Sequence, residues 1–184
     1  RFKLLVQNFL ARHVDGIVWA VTEVGDNRRW IDEILDDIPV PVVFLTLQPH
    51  SGISTVAVDN YAGGTLVTQH LLDQGRRKIR HISVPPDWWE ARLRKPAWLD
   101  TLAKDGIETT EDHWVEGNWS SASEAVAFEQ LLQSYPGMDA VFVANDQITL
   151  TVHQRARRRN LRIPCDLAVA GFDNITESEY FWPP

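Results

Sequence analysis

Short apolar runs alternate with amphipathic stretches along the whole chain. The runs have the length and composition of strands buried on both faces, and lie at 14–20, 42–45, 55–58, 79–84, 114–115, 138–143 and 167–170. Between them, apolar residues recur at helical spacing at 4–11, 28–35, 61–74, 93–105, 121–134 and 147–159. Gly75 and Gly106 directly follow two of these stretches, at the position where glycine commonly ends a helix.

This alternation of strands and helices predicts consecutive βαβ units. Each unit requires a right-handed crossover and produces a parallel sheet that helices cover on both faces. At 184 residues, the chain is long enough for one large domain or two small lobes. We therefore predict an α/β fold built from doubly wound parallel sheets.

Two helix starts carry polar signals. Ser121 and Glu124 have the spacing of a capping box, which predicts that the helix at 121–134 begins there. The buried run at 141–144 ends abruptly in Asn145, Asp146 and Gln147. Core packing does not require three adjacent polar side chains. Asn145 or Asp146 could cap the next helix, and we favour Asp146, which leaves Asn145 and Gln147 to be explained.

Charge and cysteine content narrow the function classes. The net charge of −7 argues against nucleic-acid binding by this chain itself, because phosphate neutralisation requires clustered Lys and Arg. The basic cluster at 155–159 falls at a predicted helix end, where cations complement the helix dipole. A single cysteine, Cys165, excludes an intramolecular disulfide and favours a reducing, cytoplasmic compartment. No apolar run is long enough to span a bilayer.

Polar and aromatic residues follow four of the predicted strands. Ligands of open parallel sheets bind outside the carboxyl ends of the strands. Amides, carboxylates and guanidinium groups can pair with sugar hydroxyls, and an aromatic ring can cover the apolar face of a sugar. The coincidence of four such strand ends indicates a carbohydrate pocket. Its candidate groups are Asn145, Asp146 and Gln147; Asp173 and Asn174; Trp88, Trp89, Glu90, Arg92 and Arg94; and Glu116, Asn118 and Trp119.

Structural roles remain open for individual members of this set. Asp173 and Asn174 could be turn residues, and Trp88 and Trp89 could lie in the core or at an interface. Catalytic interpretations are weaker, because the chain contains no nucleophile elbow, P-loop or dinucleotide-binding motif. Ser83 is the nearest candidate nucleophile and has no such motif around it. The six histidines lack metal-ligand spacing, so we expect no metal, no cofactor and no enzyme activity.

Several phrases together resemble the lactose-repressor/galactose-repressor family of bacterial transcription regulators. The resemblance is to the effector-binding core of that family, which has the two-lobed periplasmic sugar-binding-protein fold, and it covers essentially the whole chain. Its motifs are V-D-N-Y-A-G-G at 58–64, H-L-L-D-Q-G-R-R-K-I at 70–79, A-R-L-R-K-P-A-W at 91–98, V-A-N-D-Q at 143–147, L-R-I-P-C-D-L-A-V-A-G-F-D-N at 161–174 and the closing W-P-P.

The resemblance implies a domain organisation. Residues 1–57 would belong to an N-terminal lobe that is incomplete in this chain, and residues 58–184 to the C-terminal lobe. The helix-turn-helix that binds operator DNA in the family would lie outside this chain. A sugar-like effector would bind between the lobes and change the spacing of the DNA-binding heads in a homodimer. Tyr180, Phe181 and Trp182 supply an apolar patch suited to dimer contact.

The resemblance also implies site residues. Arg94, Asn145 and Asp173 match the positions that bind sugar hydroxyls, and Trp119 matches an aromatic residue that stacks on the ring in some members. Further matched positions in or near the pocket are Gln147, Glu90 and Thr46, and Trp88 adds aromatic surface. Thr46 stands where an acid is frequent in the family, so lactose-like or purine-like effectors are not assumed.

Pro96 departs from the family pattern around the arginine. Proline is tolerated in the first turn of a helix, so this helix is expected to start near Arg94, or its preceding loop to be displaced. A secreted solute-binding protein of the same fold, serving transport, is the alternative to a regulator. The phrases G-R-R-K-I and I-P-C-D-L and the unpaired cysteine favour the regulator.

Overall fold

The protein divides into two compact units. A computed structural model describes residues 2–25, 29–50 and 52–183, without the side chains of residues 30 and 32. The first unit comprises Arg1–Asp59 and Asp87–Trp89, and the second unit comprises Asn60–Pro86 and Glu90–Pro184. The assignment of residues 1–57 and 58–184 to the two lobes of an effector-binding core stays a prediction.

The first unit is a small parallel sheet with helices packed against it. Its helices are α1 (Phe2–Leu10) and α2 (Arg29–Ile34), the latter followed by a 3-10 turn at Leu35–Asp37. Position 28, where this helix was predicted to start, lies outside the described residues. Strands β1 (Ile17–Trp19), β2 (Val42–Leu45) and β3 (Thr55–Val56) pair in parallel in the order β1-β2-β3. The unit buries a core of Val6, Ile17, Trp19, Ile31, Phe44 and Leu47.

The segment Asp87–Trp89 contacts the first unit at residues 24, 25 and 46. Trp88 forms an antiparallel bridge with Val24, and the Gly25 amide donates to the Asp87 carbonyl at 3.2 Å. The indole N–H of Trp89 donates to the Thr46 carbonyl at 2.9 Å, and the Trp89 ring is buried. Trp89 was expected either in the core or at an interface, and the structure shows it as a core residue.

The second unit is a larger parallel sheet of the same class. Strands β4 (Ile79–Ser83), β5 (Trp114–Glu116), β6 (Ala140–Val143) and β7 (Ala168–Ala170) lie in the order β5-β4-β6-β7. The helices are α3 (Asn60–Asp73), α4 (Ala91–Lys104), α5 (Ser121–Ser134) and α6 (Asp146–Arg158). Strands β4 and β6 are buried throughout, as expected for central strands covered on both faces. The predicted α/β fold with parallel sheets is therefore confirmed.

Two glycines give helix α3 close contacts, Gly64 with helix α4 and Gly63 with Phe172 after β7. A Cβ atom at Gly64 would stand 2.9 Å from the Ala97 Cβ, and one at Gly63 would stand 2.5 Å from the Phe172 ring. The adjacent core contains Leu71, Ile79, Trp98, Leu102 and Phe142. Among the described residues, no helix is long and apolar enough to cross a membrane.

The helix start near Arg94 that was expected from Pro96 is wrong. Helix α4 begins at Ala91, and Arg94 lies in its first turn, with its amide donating to the Glu90 carbonyl at 3.0 Å. Pro96 lies inside the helix, where it removes one backbone hydrogen bond. The helix continues through it because Ala97, Trp98 and other apolar residues of the following turns are buried against α3 and the sheet.

The capping box predicted for α5 is displaced by one residue. Ser120, in an extended conformation, is the N-cap, and its Oγ accepts from the Ser123 amide at 3.2 Å. Ser121 is the first helical residue. Glu124 is therefore one position beyond the capping-box acid, and it is 1% exposed. Its carboxylate turns out to contact the preceding loop.

Candidate functional site

Arg94 is held by several groups at the carboxyl edge of the second unit's sheet. Its Nε donates to the Asn60 Oδ1 at 2.8 Å, and its Nη1 donates to the Ala144 carbonyl. Its Nη2 lies 3.3 Å from the Asp173 Oδ1, and its guanidinium stacks 3.7 Å from the centroid of the Phe172 ring. Three guanidinium nitrogens are thus held in one orientation, which fixes the remaining N–H groups in space.

Burial dominates the electrostatics of Arg94. The side chain is 10% exposed, and desolvation lowers the pKa of Arg94 from its ordinary value. The carboxylates of Asp173, Glu90 and Asp146 act in the opposite direction. An arginine retains its proton under such a shift, so the site holds a permanent cation at its base.

Asn145 caps helix α6, and the assignment of that role to Asp146 is wrong. Asn145 has an extended backbone, and its Oδ1 accepts from the Ile148 amide at 2.9 Å. Asp146 is already the first helical residue, so its side chain lies beyond the capping position. The cap uses only Oδ1 of Asn145. The Nδ2 atom carries two donor hydrogens that the cap does not need.

Asp146 instead anchors the loop that carries Asp173. Its Oδ2 accepts from the Ile175 amide at 2.9 Å, and its own amide donates to the Phe172 carbonyl at 3.0 Å. A Cβ at Gly171 would stand 2.2 Å from the Asp146 Oδ1, so the loop can approach only because residue 171 is glycine. The loop that follows β7 is thereby fastened to the start of α6.

Asp173 occupies an exposed turn with a left-handed backbone. Its φ angle is 99°, and that of Asn174 is 55°. Asp and Asn tolerate this region better than other non-glycine residues, so the turn residue proposed from the sequence is observed. The Asp173 side chain nevertheless reaches Arg94, which gives it a role in the site as well as in the turn.

Trp119 lies on the loop after β5. Its backbone φ is 69°, and it is 38% exposed. Strand β4 separates β5 from β6 in the sheet. Two interstrand spacings of about 4.8 Å put the start of this loop about 10 Å from the end of β6, which Asn145 follows. Both loops therefore start at the same edge of the sheet.

Four further residues were predicted for the site. Gln147 is exposed in the first turn of α6, and Glu90 immediately precedes α4. Thr46, exposed with φ 60°, and partly buried Trp88 belong to the first unit. The ligand-binding roles of these four residues stay predictions.

Two groups that hold Arg94 were missed in the sequence. Asn60 lies in the V-D-N-Y-A-G-G motif, which was recognised without a role for its asparagine, and it is 1% exposed. Phe172 lies directly before Asp173 and supplies the aromatic face beneath the guanidinium. An asparagine directly before a helical apolar pattern was the available signal for Asn60.

The described part of the chain contains no group of three or more His, Cys, Asp or Glu side chains placed to hold a metal ion. Cys165 is exposed and unpaired. Ser83 is 4% exposed in β4, and its Oγ donates to the Val84 carbonyl at 3.2 Å.

Comparison with known proteins identifies the family. Residues 68–184 match the family model described as the periplasmic binding protein-like domain. The ribose operon repressor of Escherichia coli K12 is 32% identical over 181 residues, covering 97% of this chain and 54% of the repressor. The regulator CelR of Thermobifida fusca is 32% identical over 176 residues, covering 94% of this chain and 51% of CelR. This chain thus spans about half the length of the curated relatives it matches.

Solved structures give the same result. The complex of the transcriptional regulator CelR with cellobiose superimposes with a TM-score of 0.83 at 31% sequence identity, covering 99% of this chain and 56% of CelR. A dimeric Lac repressor with a C-terminal deletion superimposes with a TM-score of 0.81 at 27% identity, covering 99% of this chain and 66% of the repressor. The chain belongs to the periplasmic binding protein-like domain family, in the branch formed by the lactose-repressor/galactose-repressor regulators.

Proposed function

We propose that this chain is the ligand-sensing core of a bacterial transcription regulator, and that its effector is a sugar-like small molecule. Effector binding would control the affinity of a helix-turn-helix domain for operator DNA. In this scheme Arg94, Asn145 and Asp173 bind effector hydroxyls, and Trp119 covers the apolar face of the ring. Gln147, Glu90, Thr46 and Trp88 are proposed to complete the pocket.

The arrangement around Arg94 carries the proposal. A guanidinium that is 10% exposed is held by an amide, a carbonyl and a carboxylate at the end of a parallel strand. Rigid donors beside the exposed Asp173 carboxylate can address two neighbouring hydroxyls, which is the geometry that a sugar presents. The cost of ordering these groups is met during folding, so little of it remains when the effector binds.

The relatives support the regulator over the transport alternative. The ribose operon repressor and CelR are transcription regulators, and the CelR structure holds cellobiose. A cytoplasmic location accords with that role and with the exposed thiol of Cys165. The inward position of Ser83 in β4 supports a binding function in preference to hydrolysis.

We also propose a homodimer. Tyr180 and Trp182 are 82% and 87% exposed, an unusual state for large apolar side chains near each other in sequence. The Phe181 ring packs 5.7 Å from the His153 ring, which ties the segment to α6. An exposed aromatic pair on an anchored segment suits contact with a second copy of this chain.

A thermal-shift screen tests the proposed function. The chain would be heated with D-ribose, D-glucose, cellobiose, hypoxanthine and adenine, each at millimolar concentration. A ligand that binds only the folded state at 100 times its dissociation constant stabilises that state by about 2.7 kcal/mol. We expect at least one sugar and neither purine to raise the melting temperature. Stabilisation by a purine alone would contradict the proposal.

A further inference from the structure

A buried carboxylate, that of Glu124, is hydrogen-bonded to the loop that carries Trp119. Glu124 lies in the first turn of α5 and is 1% exposed. Its Oε1 accepts from the backbone amide of Trp119 at 3.1 Å. Its Oε2 is also buried. A carboxylate in such a position is costly unless it performs a structural or functional task.

Trp119 needs such a support because its backbone is in the left-handed region. A φ of 69° is unfavourable for a bulky side chain, and such conformations persist where surrounding contacts fix them. The neighbouring turn is fixed by Asn118, whose Oδ1 accepts from both the amide and the hydroxyl of Ser120. The Trp119 amide itself is held by Glu124.

Gly117 makes room for the carboxylate. A Cβ atom at residue 117 would stand 2.0 Å and 2.1 Å from the two Glu124 carboxylate oxygens. The loop from 117 to 119 therefore wraps directly around the carboxyl group, and a side chain at 117 would displace it. Burial raises the pKa of Glu124, while the amides of Trp119 and Asn118 lower it. The positive end of the α5 dipole also favours the charged form.

We infer that Glu124 is a positioning residue for the Trp119 ring, and that it thereby sets the aromatic wall of the sugar site. The inference rests on the proposed function for the role of the ring, but the positioning itself can be measured without any sugar. Glu124 would act through the Trp119 backbone and not by touching the effector. A purely structural role, as a helix N-terminal anion, would require no influence on the ring of Trp119.

Fluorine NMR of the chain labelled with 5-fluorotryptophan separates these roles. The chain has eight tryptophans, and Trp119→Phe assigns the Trp119 resonance by its disappearance. We expect Glu124→Ala to shift or split that resonance and to leave the other seven in place. Glu124→Gln retains an oxygen acceptor for the Trp119 amide, so its Trp119 resonance should stay near the parent position. Glu129→Ala is the matched control, because Glu129 lies on the same helix and pairs with Arg159.

Gly117→Ala tests the same contact from the other side and guards against a Glu124 variant that fails to fold. Its Cβ should displace the carboxylate and move the Trp119 resonance as Glu124→Ala does. In the double variant Gly117→Ala/Glu124→Ala, the carboxylate that the new side chain at position 117 would displace is absent. Adding Gly117→Ala to Glu124→Ala should therefore move the Trp119 resonance less than adding it to the parent chain. An unchanged Trp119 resonance in folded Glu124→Ala or Gly117→Ala would overturn the inference.

Titrating the labelled parent chain with D-ribose and then cellobiose distinguishes failure of the inference from failure of the proposed function. If a sugar shifts the Trp119 resonance while Glu124→Ala leaves it unmoved, the positioning role is refuted and the sugar site stands. If Glu124→Ala moves the resonance, the positioning role is supported whatever the sugars do. Absence of any sugar response counts against the proposed function alone.

Discussion

The Arg94 guanidinium and the Asp173 carboxylate are 3.3 Å apart, with side chains that are 10% and 43% exposed. The buried cation is also held by Asn60 and Ala144, whereas the anion stands on an exposed turn. This asymmetry divides the pair into a rigid base and an accessible rim. Substitution of Arg94, the base, should mainly lower the stability of the fold, and substitution of Asp173, the rim, should mainly weaken effector binding.

Arg94→Lys should destabilise the second unit by about 2–3 kcal/mol. An ammonium group cannot reproduce the planar fork that reaches Asn60, Ala144 and Asp173 together. Urea unfolding measures the loss. Arg162→Lys is the control, because Arg162 pairs with Asp166 while 75% exposed, and exposed pairs are worth about 0–1 kcal/mol. Equal losses in the two variants would contradict the role assigned to Arg94.

Asn145→Asp should separate the cap of α6 from effector binding. Aspartate is as good an N-cap as asparagine, so unfolding should be nearly unchanged, whereas Asn145→Ala should lose about 1 kcal/mol. Aspartate lacks the Nδ2 donors, so sugar affinity should fall by about tenfold or more in both variants. Urea unfolding and calorimetry on the same samples check the two halves. If Asn145→Asp binds the sugar as tightly as the parent chain, Nδ2 of Asn145 does not donate to the sugar.

His81 should make the second unit less stable in acid. It is fully buried between the rings of Trp98 and Phe142, and its Nδ1 lies 2.9 Å from the Phe142 carbonyl. Burial lowers the pKa of His81 from 6.5 to about 3, and the charges of Lys95 and Arg94 add to the shift. The unfolded chain therefore binds a proton below about pH 6.5 that the folded chain refuses. The neutral His81 therefore contributes fully to the free energy of unfolding above pH 6.5, and this contribution is lost as the pH falls towards 3.

Between pH 7.5 and 5.5 the loss from His81 alone should be about 1.4 kcal/mol. Urea unfolding at the two pH values measures it. His81→Phe keeps an aromatic ring in the same space and removes the titrating group, so its stability should vary less over the same interval. A variant with the same pH dependence as the parent would show that other groups cause it.

Trp182→Ser should weaken self-association. The exposed indole is two residues from Tyr180 in the chain, on a segment that packs against α6 through Phe181. Its removal takes apolar area from the proposed dimer contact. Sedimentation velocity over a concentration series should show a shift towards monomer. Leu66→Ser is the control, because Leu66 on α3 is 71% exposed and lies outside this segment. A parent chain that stays monomeric at all concentrations would contradict the proposed dimer.

The fold could be predicted from the sequence because its signals are local and repeated. Each apolar run contains a strand, although Val56 in β3 is 63% exposed and that strand is not buried on both faces. Gly75 and Gly106 follow helices α3 and α4 with φ angles of 82° and 75°. The prediction of the α6 N-cap was wrong because it depended on choosing between two adjacent residues. Asn145 and Asp146 are both good caps, and only the backbone angles show which residue is the last before the helix.

The site could be predicted only in part, for a different reason. Arg94 and Asp173 are 79 residues apart in the chain, and the motifs named them without showing that Asn60 and Phe172 complete the cluster. Local rules also misjudged Pro96, because burial of the following turns outweighs one lost hydrogen bond. The support of Trp119 by Glu124 depends on a left-handed residue that no sequence pattern announces.

Calorimetric titration of the parent chain and Asp173→Ala against a carbohydrate panel tests the central claim most directly. Asp173 is on the exposed rim, so its removal should leave the fold intact, which circular dichroism and urea unfolding verify. We expect a sugar that binds the parent to bind Asp173→Ala about 10- to 100-fold more weakly, the loss typical of a hydrogen bond to a charged group. Equal affinity of that sugar for the two chains would contradict the assignment of this site.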